Sequence, residues 1–366
     1  MLQQACCAGL SGATGWEKTS YFIMAEPEKN SLDLLRLVAA LLVLYSHQFA
    51  LMGQPEPSFF GWTSFGGAGI TIFFFLSGLL VWSSWQRDPV PGRFLVRRSL
   101  RIFPALWVVV FCCVFLVGPA FSSLSVREYF LLPKTWFYLG TAFLIPGSTL
   151  PGVFAGNPYP LAVNGSLWTL PLEFMCYISV VIVGVFTVAS RGVLIAATVL
   201  LCVVLASMIP MLTGLRFSIH LEMVAVFWWG VLYGHCTQRL PGAKTGSPLA
   251  LVLGCAAFLL FALWGPRGLE RMAMLVCSAC LVHLALRVAA GARVTTSLGD
   301  LSYGLYIFAF PVQQMLMHWS TARSLSVESA FCLSLIVTSV LAFGSWHLIE
   351  KRALRFKPRT RDTVAM

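Results

Sequence analysis

Leu32-Asp-Leu-Leu-Arg36-Leu-Val-Ala-Ala-Leu-Leu-Val-Leu-Tyr-Ser-His47-Gln-Phe-Ala-Leu-Met52 is an apolar run long enough to cross a bilayer, and it carries two ionisable side chains well inside it. Arg36 and His47 are eleven positions apart. At about 100° per residue that is roughly three full turns, so the two share one helix face to within about 20°. A rise of about 1.5 Å per residue separates them by roughly 16 Å, about half the hydrocarbon thickness. A charge at the bilayer centre costs about 2.5–3.5 kcal/mol on insertion scales, so such residues are retained where they do something. A snorkelling Arg36 and a hydrogen-bonded core His47 would be the plainer reading, but it leaves the shared face unexplained.

The rest of the chain agrees with a membrane bundle. It is 58% hydrophobic and 11% charged, with a mean hydropathy of +0.81 over 366 residues. A soluble domain carries about a quarter charged residues. The apolar runs are continuous and about 20 residues long, which excludes the alternating strands of an outer-membrane barrel. The fold class is therefore all-α, a polytopic membrane protein with ten transmembrane helices in one bundle. The expected spans are 32–52, 66–85, 102–122, 167–189, 192–213, 217–235, 248–265, 268–289, 299–320 and 326–348. Residues 1–30 read as a disordered tail, 31–352 as the membrane domain and 353–366 as a basic tail. The longest connection, 123–166, contains the aromatic stretch Trp136 to Phe143, expected as a re-entrant or interfacial helix. No internal repeat is evident, which lowers the case for an inverted-repeat transporter.

The net charge of +11 has a topological cause. With both termini in the cytoplasm, 18 Lys and Arg fall on that side against 6 outside, a positive-inside bias; nucleic acid is not implied. Eleven cysteines do not make a disulfide framework when most sit within apolar spans. Cys277-Ser-Ala-Cys280 has metal-ligand spacing without a second pair or a histidine cluster, so no metal is expected.

Arg93, Arg97, Arg98 and Arg101 form a second cationic cluster at the cytoplasmic boundary. Arg98-Ser-Leu-Arg101 puts two guanidiniums on one helix face, suited to bidentate capture of phosphate. Asp33 lies one turn before Arg36 and is placed to pair with it. Asn164-Gly-Ser-Leu-Trp168-Thr-Leu-Pro-Leu-Glu173 opens the fourth span and puts Glu173 at a depth where it could meet His47. An imidazole with a carboxylate partner is a general base for a hydroxyl. Glu222, near His220, is the rival acid. His283 and His347 read as packing residues. Gly66-Gly-Ala-Gly-Ile-Thr-Ile-Phe-Phe-Phe-Leu-Ser-Gly78 reads as a close-packing helix rich in small residues.

In order along the chain, these stretches resemble the acyltransferase-3 family, the integral-membrane O-acyltransferases of bacterial surface glycans. The resemblance rests on Arg36 with ten residues to His47, on Phe74-Phe-Leu-Ser-Gly78, and on Arg97-Arg98-Ser-Leu-Arg101-Ile-Phe-Pro104. It continues through Ser166-Leu-Trp168-Thr-Leu-Pro-Leu-Glu173, Leu301-Ser-Tyr303-Gly-Leu-Tyr306 and His347-Leu-Ile-Glu350-Lys351, and so covers about 32–352. It implies a ten-helix core in the inner membrane that takes an acyl group, acetyl in the first place, from cytoplasmic acyl-CoA. The acceptor would be a hydroxyl of a glycan or lipid-linked glycan at the outer face. His47 would be the base, Arg36 its companion and Glu173 the acid; Arg97, Arg98 and Arg101 would bind the donor, and Asn164, Trp168 and Glu222 the acceptor. Many members carry a histidine where this chain has Ala309, which argues against catalysis from that position here. A covalent acyl-histidine, a transporter without acyl chemistry and an acceptor on the cytosolic side stay open as alternatives.

Overall fold

The computed structural model describes residues 31–187, 218–239, 268–287, 299–319 and 324–358, and these are mostly helical. Of the ten expected spans, 192–213 and 248–265 lie outside the described residues, as do the tail 1–30 and residues 359–366. Each of the other spans is a helix. In chain order the principal helices are α1 (Leu32–Leu51), α2 (Phe65–Arg87), α3 (Pro91–Cys112), the short α4 (Val126–Leu131) and α5 (Pro133–Phe137) of the long connection, α6 (Thr169–Thr187), α7 (Ser218–Arg239), α8 (Gly268–Arg287), α9 (Ser302–His318) and α10 (Val327–Ser345). Among the described residues, five helices are long and apolar enough to cross a membrane: 32–51, 65–87, 91–121, 165–185 and 327–356. The protein is a multi-pass, all-α membrane protein.

Two local departures from the expected boundaries bear on function. The third span starts at Pro91, eleven residues before the expected position, because proline at the first helical turn loses no hydrogen bond there. The arginine cluster is thereby built into α3 and held at helical spacing. That helix continues beyond Cys112 through a π-turn, Cys113–Val117, and ends at Phe121. At the other end of the chain, α10 passes through a second π-turn, Trp346–Glu350, into a last turn that packs back on α3. The aromatic stretch forms α5 and a 3-10 turn, Tyr138–Phe143, exposing Trp136, Phe137 and Phe143 as an interfacial element does.

Helix α2 is the hub, packed against α1, α6, α7 and α8. Its sequence explains why it can be. A Cβ at Gly78 would overlap the Phe227 carbonyl of α7, and one at Gly230 of α7 would overlap the Phe75 carbonyl of α2. The two glycines let the backbones touch reciprocally, which is how helices associate where lipid supplies no hydrophobic drive. Gly69 does the same against α1, facing the Ala39 carbonyl.

Charge ties the ends of three helices together. Asp300, just before α9, accepts from Arg36 Nη1 of α1 at 3.1 Å, and the same oxygen accepts from Arg101 of α3. Ser302 Oγ donates to its second oxygen at 2.6 Å.

Gly78→Val and Gly230→Val are expected to force α2 and α7 apart, costing about 1–3 kcal/mol each. Gly92→Ala, where an added methyl meets open space, should be silent. Asp300→Ala should cost about 3 kcal/mol by stranding two guanidiniums. Thermal unfolding midpoints of the detergent-purified protein check all four.

Candidate active site

One stripe of α2 opens onto a cavity of about 830 Å³: Ile70, Phe73, Phe74, Ser77, Leu80, Val81, Ser84 and Arg87. The spacing is that of a single helix face. From Ile70 to Arg87 it runs roughly 25 Å at the usual rise, most of the hydrocarbon thickness. Helices α1, α3 and α6, the start of α9 and the segment after α10 complete the wall.

The cavity is graded from charged to apolar. At one end stand Asp33, Arg36, Arg87, Arg97, Arg98, Arg101, Asp300 and Lys357. Midway, Glu173 of α6 accepts from Ser77 Oγ at 3.1 Å and from Tyr177 OH at 2.5 Å. At the far end are Ile70, Phe73, Thr169 and Tyr306. There the Tyr306 hydroxyl donates to the Ser166 carbonyl at 2.8 Å and lies 2.7 Å from Thr169 Oγ1, while its ring meets Phe73 edge-on.

The arginines differ in what they already hold. Arg97 donates to Asp88 at 2.6 Å, and Arg93 donates to the same carboxylate. Asp88 is 1% exposed, and its hydrogen bonds from Arg93 outweigh burial and hold its carboxyl below the usual range. Arg36 and Arg101 share Asp300, and Arg36 also lies 3.8 Å from Asp33 as its spacing predicts. Arg101 lies 3.8 Å from Glu350, a buried acid carried by the second π-turn. Arg98 has no carboxylate among the described residues. Its guanidinium stands over the Phe94 and Tyr177 rings, and its buried Nε lacks a hydrogen-bond partner.

His47 lies beyond the far end. Its ring meets Phe310 edge-on at 5.3 Å, and Phe310 is one helical turn, about 6 Å, past Tyr306. The cavity wall does not include His47. On its flank, buried Gln48 accepts from Gln313 of α9 at 3.0 Å and from Ser334 of α10 at 3.4 Å, and Gln313 also donates to the Leu44 carbonyl. This buried polar cluster fixes the register of three helices around the imidazole. Ser46, the residue before His47, donates to Glu56.

The other expected site residues are placed as follows. No hydrogen bond or ion pair joins Glu173 to His47, because Glu173 faces the cavity and is held by Ser77 and Tyr177. Asn164 is 1% exposed and committed: it donates to the Ile307 carbonyl at 2.9 Å and caps the turn Gly165–Trp168. Trp168 meets His220 edge-on at 5.1 Å, and with Asn164 it lines a separate cavity of about 190 Å³. Glu222 is half-buried on α7. His283 has a partner in Tyr233, whose hydroxyl lies 2.8 Å from its Nδ1. His347 packs on Phe343. The described cysteines, including Cys277 and Cys280, are free thiols.

Residues that sequence reasoning passed over are Asp88, Asp300, Glu56, Tyr177 and Tyr306. The acids had a faint signal: an aspartate beside an apolar span needs a cation, and the chain offered arginines at the same boundary. Tyr306 closes one of the stretches that carry the family resemblance, though without an assigned role, and Tyr177 had no signal.

The description of an acyltransferase domain fits this chain over residues 29–348. An O-acetyl transferase of Shigella phage Sf6 is 32% identical over 335 residues, covering 89% of this chain and 96% of that protein. Nodulation protein 10 of Rhizobium leguminosarum bv. viciae is 27% identical, over 90% of this chain and 94% of its own length. A putative peptidoglycan O-acetyltransferase of Bacillus subtilis is 28% identical, over 87% of this chain and 54% of that one. No solved structure matches. The chain therefore belongs to the acyltransferase-3 family and is an enzyme that transfers acyl groups.

Proposed function

We propose that this enzyme is an O-acetyltransferase of the inner membrane that moves an acetyl group from cytoplasmic acetyl-CoA to a hydroxyl of a cell-surface polysaccharide or glycolipid. The observation that carries the reading is the graded cavity. A cationic mouth suits a donor whose one end is a polyanion. A channel of roughly 25 Å suits an extended pantetheine arm, and its apolar end stops one turn short of an imidazole. The positive-inside bias of the sequence supports a mouth on the cytoplasmic side, where the donor is made.

The bonds balance without a further reactant. The acceptor hydroxyl oxygen attacks the thioester carbonyl, a C–O bond forms and the C–S bond breaks. His47 takes the hydroxyl proton and returns it to the departing thiolate, which leaves as the free thiol. Glu173 orients the donor through Tyr177 and Ser77 on the cavity wall. Glu56, which accepts from Ser46 beside His47, joins Glu173 and Glu222 as a candidate carboxylate partner of the imidazole. Relatives named O-acetyl transferase and peptidoglycan O-acetyltransferase support both the acetyl group and a glycan acceptor.

His47→Ala is expected to lower acetyl transfer by at least about 10²-fold while the unfolding midpoint is kept. Acetyl-CoA turnover by the nanodisc-embedded protein, with mass spectrometry of envelope glycans from cells with and without it, measures both. Full transfer in the variant would remove the histidine mechanism. Unaltered glycans, with solute movement independent of acetyl-CoA, would point to a transporter.

A further inference from the structure

Six cationic side chains line the cavity against three acidic ones. The excess is unevenly spread. Arg36, Arg97 and Arg101 each hold a carboxylate at 3.1 Å or closer. Arg87, Arg98 and Lys357 hold none among the described residues, yet all three line the same end of the cavity. They come from three separate elements: the last turn of α2, the third turn of α3 and the segment after α10.

Like charges without acidic partners facing one space repel each other, and a bound anion relieves that repulsion. Arg87 and Lys357 are exposed, and both also reach the cavity wall, which places them at its solvent-open rim. Lys357 is affected by this surrounding: burial and the nearby charges of Arg101, Arg98 and Arg97 lower its pKa. It also lies nine residues beyond the end of the family match at 348. Leu354 and Lys357, the latter in the basic segment 353–366, form part of the wall.

We propose that Arg87 and Lys357, with Arg98, form the anion site that receives the donor's phosphate groups, while Arg97 and Arg101 serve to hold the fold. The ligand class is a carrier with phosphates on two separate positions, since one phosphate would not need cations from three elements. The inference rests on the donor reading above and sharpens it, because it assigns phosphate binding to a residue outside the family domain.

The test uses the full-length protein in nanodiscs, with coenzyme A and 3′-dephospho-coenzyme A as probes in calorimetry, and acetyl-CoA in steady-state turnover. Lys357→Gln and Arg87→Gln should each weaken coenzyme A binding about tenfold and raise KM in step, with kcat unchanged. Lys357→Arg should restore most of it. One of the two Gln variants should lose its preference for coenzyme A over the dephospho form, identifying which cation meets the 3′-phosphate. Arg352→Gln, exposed and off the cavity wall, should bind as the unaltered protein does. Coenzyme A binding that survives in the double variant, or an equal loss in Arg352→Gln, overturns the inference and leaves the donor reading standing. Failure of the unaltered protein to bind coenzyme A overturns both.

Discussion

Guanidinium groups inside an apolar bundle need compensation, and the way this protein provides it organises everything else. Asp300 takes two arginines from two helices and Asp88 takes two from one. Breaking such a pair is costly because it leaves an uncompensated charge in a poorly solvated place. The pairs therefore act as struts, fixing α1, α3 and the start of α9 around a common opening. What is left unpaired at that opening is free to meet a ligand. One cluster of basic residues thus divides into a structural set and a receptive set, and only the pairing partners tell them apart.

The cavity depends on a second constraint at its back. Reciprocal glycine contacts draw α2 against α7, leaving the stripe from Ile70 to Arg87 facing the empty space. The amide cluster of Gln48, Gln313 and Ser334 then sets α1 against α9 and α10 beside His47. Between these two fixed regions lies Tyr306, hydrogen-bonded across to the turn before α6. It lines the far end of the cavity, one helical turn from the Phe310 ring on which His47 packs.

Much of this was legible in the sequence. The 3.6-residue period carried Arg36 and His47 onto one face, and the length of the apolar runs gave the helices. Small residues at Gly66 to Gly78 announced close packing, and Arg98 with Arg101 announced a basic rim. What escaped has a physical reason. Equal depth on two helices permits a His47–Glu173 contact but does not fix azimuth, and Glu173 turns toward Tyr177 instead. Asp300 pairs with residues 199 and 264 positions away, a separation that no local pattern encodes. The start of α3 was missed because charged residues interrupt the apolar period that marked the other helices, while Pro91 marks the true beginning.

The central claim is that a donor enters at the basic rim and delivers its acyl group past Tyr306 to His47. A structure of the full-length protein with a non-hydrolysable acetyl-CoA analogue tests it most directly. The account requires the phosphates among Arg87, Arg98 and Lys357 and the carbonyl carbon within reach of the imidazole, with the tyrosine displaced. An analogue bound away from this cavity, or one whose carbonyl stays below a closed Tyr306 with His47 sealed from it, would contradict the account.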